Sequence, residues 1–126
     1  MAAKFRLVSE HLYWWPVDVS MPDPEAAGKL MTMKFEARFK AVRESVLRAK
    51  GTEISQIDNP NERVAQEVEQ LLDVITDWRG VVDENDAAVP FTKDALREAM
   101  EMQWFRTAVF RAWGDSMRTD VARRGN

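Results

Sequence analysis

The stretch MTMKFEARFKA, residues 31–41, alternates apolar and polar side chains without a miss. Met31, Met33, Phe35, Ala37, Phe39 and Ala41 fall on one side, Thr32, Lys34, Glu36, Arg38 and Lys40 on the other. Successive side chains of an extended chain point to opposite faces, so this is the pattern of a strand with one face buried. Upstream, Tyr13, Trp15, Val17, Val19 and Met21 also occupy alternate positions, which predicts a strand over about 11–21. The intervening PDPEAAGK carries the turn residues Pro22, Pro24 and Gly28. Two strands joined by a short loop make an antiparallel hairpin. A lone hairpin is marginally stable in water, so its apolar face needs a cover.

The cover reads as helical. Val42, Val46 and Leu47 recur at helical spacing up to Lys50, and Gly51-Thr52 suits a helix end. Asn59-Pro60-Asn61 suits a helix start, and Val64, Val68, Leu71, Leu72, Ile75 and Trp78 form one stripe at i, i+4, i+7, i+8, i+11 and i+14. The spacing predicts one long helix that reaches Trp78, with Gly80 as its left-handed cap. Thr92 can accept hydrogen bonds from the next amides and begin another helix, with Asp94 in its first turn and Leu96 and Met100 on one face. A last helix is predicted over about 103–118, where Met102, Phe105, Val109, Ala112 and Trp113 share a side. The fold class is α+β. An N-terminal antiparallel β-hairpin, about residues 11–41, packs against three to four α-helices in a helical part of about 42–119. A loose tail follows at 120–126, all within one domain.

The totals agree with that size and exclude several function classes. A chain of 126 residues can bury about two thirds of the surface its unfolded form exposes, so it needs no disulfide or metal staple. There is no cysteine, which removes disulfides and thiolate chemistry and leaves zinc only carboxylates and the single His11. No run of about 18 apolar residues is present, and the N-terminus lacks an apolar signal core, so a cytoplasmic protein with no membrane partner is expected. Residues 1–50 carry 9 basic and 6 acidic residues, 51–96 carry 3 and 11, and 97–126 carry 6 and 4, for +3, −8 and +2. The acidic middle would repel a phosphate backbone and argues against nucleic acid as a partner.

No catalytic constellation or cofactor motif emerges. Asp83, Glu84 and Asp86 offer oxygen ligands, but the alternating spacing, glycine and closing glutamate of an EF-hand loop are missing. The flanks GVV and AVPF read as two short extended pieces around a turn, with Asn85 tolerating a left-handed backbone. His11 has Ser9 on the same strand face and no better partner, too close along one strand for a catalytic pair. The glycines are scattered and build no phosphate loop. The expectation is a protein that is not an enzyme and has no cofactor.

The aromatic residues say more. Trp14 alternates away from the Tyr13–Trp15–Val17 face, and Trp104 points opposite the Phe105–Val109–Trp113 stripe. An exposed tryptophan reduces solubility and is useful at an interface, so Trp14 and Trp104, with nearby Ala108, are the candidate partner-binding residues. A homo-oligomer would cover both tryptophans equally well.

At this point the chain resembles a family. The order WWPVDVSMPDP, MKFEARFKAV, a helix ending in WRGVVDENDAAVPFT, then ALREAM and a closing ARRGN, is similar to the small tail assembly chaperones of long-tailed, siphovirus-type phages and prophages. The resemblance runs from about residue 13 to the end and lies in the order of the pieces. One departure is that such turns often carry a glycine after the acids, where this chain has Asn85-Asp86-Ala87. The resemblance implies a non-enzymatic role in the host cytoplasm. Such a chaperone binds the long helical tape measure protein, keeps it soluble, helps bring tail tube subunits to it, and leaves the finished tail. The rival reading from the same resemblance is another small phage structural part, a tail terminator or head–tail joining protein that forms permanent rings.

Overall fold

Two long strands, β1 (Leu12–Pro22) and β2 (Leu30–Lys40), form the expected hairpin, paired from Leu12↔Lys40 to Pro22↔Leu30. The computed structural model describes residues 2–118, so the expected loose tail at 120–126 lies outside the described residues. In the connecting turn the Asp23 amide donates to the Lys29 carbonyl at 2.9 Å, and Gly28 takes a left-handed φ of 76°. Four helices follow: α1 (Glu44–Ser55), α2 (Pro60–Val74), α3 (Lys93–Ala99) and α4 (Gln103–Ser116). The architecture is α+β.

The sheet has a third strand that the helical spacing hid. α2 stops at Val74, and Ile75–Arg79 forms β3, antiparallel to β2, giving the order β1-β2-β3. The expected single helix to Trp78 is therefore corrected. Ile75 and Trp78 are buried either way, but Val74-Ile75-Thr76 are three β-branched residues in a row, which favour a strand. As a strand they also satisfy the free edge of β2. The register shifts between Arg38 and Phe39, and Thr76 stitches this bulge. Its hydroxyl donates to the Arg38 carbonyl at 3.1 Å and accepts from Arg38 Nε at 2.9 Å. Gly80 does take a left-handed φ of 85°, at the end of β3 and not as a helix cap. Lys93 closes the α2–β3 joint from the side by donating to the carbonyls of Leu72 and Ile75. Burial there lowers its pKa, partly offset by Asp73.

α1 also departs from expectation. It begins at Glu44, passes through Gly51 and Thr52, and ends at Ser55. Ile54, one heptad beyond Leu47, is buried, and its burial favours a helix that continues past the glycine. The predicted starts at Asn59 and Thr92 are found: Asn59 Oδ1 accepts from the Asn61 and Glu62 amides, and Thr92 Oγ1 from the Ala95 amide.

One core cluster lies between the helices and the sheet face that carries the odd-numbered residues of β1 and β2 and Ile75 and Trp78 of β3. Val17, Phe39, Leu71, Ile75, Leu96, Met100 and Val109 are its most enclosed members, and no polar side chain is buried among the described residues. α4 lies along β1, where Tyr13 and Ser116 exchange a hydrogen bond of 2.8 Å between their hydroxyls.

Candidate functional site

The helical cover runs out before the hairpin does. An 11-residue strand extends about 35 Å and a 14-residue helix only about 21 Å. Burial accordingly fades toward the hairpin tip: Val17 and Ala37 are enclosed, Met21 and Phe35 half-buried, and Met33 exposed. The uncovered end of the sheet, the strip Gly80–Val82 after β3 and the start of α4 enclose an apolar cleft of about 470 Å³. Its rim is Met33, Val82, Met102 and Trp104, each between 41% and 50% exposed. Its floor is rigid. Phe35 stacks on Phe105 at 5.3 Å, and both meet Trp78 edge-on at 6.5 Å. Trp78 in turn packs edge-on against Phe91 at 5.3 Å and donates from Nε1 to the Val89 carbonyl at 2.8 Å.

Acidic residues border this cleft in sequence. Glu101 precedes Met102, and the turn Asp83–Asp86 follows Val82. The turn is held by its own first residue. The Asp83 carboxylate accepts from the Asn85 amide at 2.8 Å and the Ala87 amide at 3.0 Å, and Val82 bridges to Ala88. The left-handed residue is Asp86, φ 61°, and not Asn85 as expected. The flanks GVV and AVPF do lie as two extended pieces around it, with the Val89 amide donating to the Val81 carbonyl at 2.9 Å.

The three candidate partner residues do not share one surface. Trp104 lies on the cleft rim and is 41% exposed. Trp14 stands on the opposite, helix-free face of the sheet, half-buried under two guanidinium groups. Arg79 lies 4.1 Å and Arg38 5.7 Å from its ring centroid, and Glu36 holds Arg79 at 2.7 Å. Ala108 is 6% exposed and belongs to the core, so it presents no surface to a partner. The cleft residues Met21, Met33, Val82 and Met102 were not singled out from sequence. Alternation placed Met21 and Met33 on the core face, and only the mismatch of strand and helix lengths would have shown them uncovered.

His11 stacks on Tyr13 at 5.7 Å beside a second, larger hollow of about 810 Å³ between β1, α1 and the end of α4. Among the described residues His11 makes no hydrogen bond to a carboxylate or hydroxyl, and no three His, Asp or Glu side chains converge on a common point. No helix among them is long and apolar enough to cross a membrane. No family model, curated protein or solved structure matches the chain.

Proposed function

We propose that this chain is a tail assembly chaperone of the long-tailed phage type, which keeps a tape measure protein soluble in the host cytoplasm and helps bring tail tube subunits to it. The observation that supports this reading is the cleft at the uncovered end of the hairpin. A tape measure chain is long, helical and amphipathic, and alone it exposes an apolar stripe. The cleft offers such a stripe a trough of methionine, valine and tryptophan. Methionine adapts to irregular partners without a fixed fit, which suits a contact that must form along a repetitive helix and later be released. Lys34 is the charged residue of the lining, and the acidic residues that adjoin Val82 and Met102 in sequence help keep the complex soluble through charge.

The reading is tested by sequencing the DNA beside the gene for a long, helix-rich reading frame and co-expressing the chain with its product. The wild-type chain is expected to hold that product in the soluble fraction and co-purify with it. Met33→Asp and Trp104→Asp should fold normally and lose both properties. Loss of neither in the two variants, or a permanent ring at low concentration indifferent to the long product, overturns the proposal. The ring result would favour the tail terminator or joining protein.

A further inference from the structure

Phe5 and Leu7 are 89% and 90% exposed. They belong to residues 2–10, an arm with no strand or helix, which a bend at Ser9 turns off the line of β1. Large apolar side chains left this open mark a contact still to be made. The arm is patterned for one: Lys4 and Arg6 alternate with Phe5 and Leu7, the period of a strand. The phase also matches, because Phe5 and Leu7 are odd-numbered like the core-facing Val17, Val19 and Met21.

A receptor for such a strand exists on the body. β1 is an edge of the sheet. The Ala41 amide donates to the His11 carbonyl at 2.9 Å, so the odd residues of β1 turn their backbone groups toward β2. Trp14, Asp18 and Ser20 turn theirs outward, and among the described residues no hydrogen bond reaches those groups. Pro16, which has no N–H to offer, falls in the outward set, where proline is tolerated.

We propose that residues 4–8 of one copy add as an antiparallel strand to the outer edge of β1 near Asp18–Pro22 of a second copy, and reciprocally, to form a two-fold dimer. Directly opposed residues in an antiparallel pair share a face. With Phe5 opposite Met21, Phe5 and Leu7 join Met21 and Val19 at the edge of the apolar cleft, and the bend at Ser9 carries the arm across while the two copies of α4 stay apart. Arg6 then faces Ser20, with Asp18, which Lys34 pairs at 3.1 Å, diagonal to it. The chain's own arm cannot make this contact. Phe5 is seven residues from Leu12 and reaches at most about 25 Å, whereas Leu12 to Met21 spans about 30 Å. The dimer stands whether or not the chaperone reading does, because it needs no other protein. A partner helix in the cleft would have to displace the arm.

Sedimentation equilibrium at micromolar concentration tests this on the full chain, on a chain lacking residues 2–8, and on Phe5→Ser/Leu7→Ser. The full chain is expected at twice the 14.5 kDa of one copy and the deletion at the single mass, with unchanged circular dichroism. The double substitution should weaken the dimer at least about tenfold in Kd and keeps the test open if the deletion misfolds. Hydrogen exchange should show the Asp18 and Ser20 amides protected in the full chain and exposed in the deletion. A full chain at single mass throughout overturns the proposal. So does a deletion that remains dimeric, or a double substitution that dimerises as well as the full chain.

Discussion

Trp78 joins two stretches of backbone that stand eleven residues apart. Its ring packs among Phe35, Phe91 and Phe105, and its N–H reaches the Val89 carbonyl. Replacement by alanine removes the ring that backs Phe35 and Phe105 and leaves that carbonyl without its donor. Trp78→Ala should lower the unfolding free energy by about 3–5 kcal/mol in urea titration. Asp83 works on a smaller scale, since it accepts two amides of an exposed turn. Asp83→Ala should lose about 1 kcal/mol, and Glu84→Ala, with no such role, nothing measurable in the same titration. Residue roles that depend on neighbours in the chain were legible in sequence, as Asn59 and Thr92 were at helix starts. The left-handed residue was missed by one position because the choice between Asn85 and Asp86 rests on which amides Asp83 captures. The cover over Trp14 was not legible at all, since its two arginines come from β2 and β3.

At the scale of elements, the hairpin was readable because its alternation persists over both strands and one register satisfies it. The long stripe from Val64 to Trp78 misled because its last two members, Ile75 and Trp78, are three apart, a spacing that a bulged strand can also bury. Periodicity alone does not separate the two when the final turn is β-branched. α1 shows the converse, a helix that outlasts its apparent stop. Gly51 sits in open space within it at a conformation alanine accepts. Gly51→Ala should therefore stabilise the protein by about 0.5–1 kcal/mol, read as a rise in the urea midpoint at unchanged slope.

The whole molecule is a sheet with helices on one face and a charged, aromatic-bearing surface on the other. Sequence parity distinguished these faces, and it set Trp14 on the bare one. The position of the cleft along the sheet needed a comparison of lengths between elements that are far apart in the chain. β1 and α4 are the first and last of these elements, yet they pack together and share the Tyr13–Ser116 bond. This has a consequence for biosynthesis. The ribosome finishes the hairpin at Lys40 but releases the helix that covers it only after Ser116, a further 76 residues. At roughly 5–20 residues per second, that leaves Val17 and Val19 without their final cover for about 4–15 s. The native state is closed only once the last helix clears the exit tunnel, so each newly made copy passes through an interval in which it is itself a client for protection.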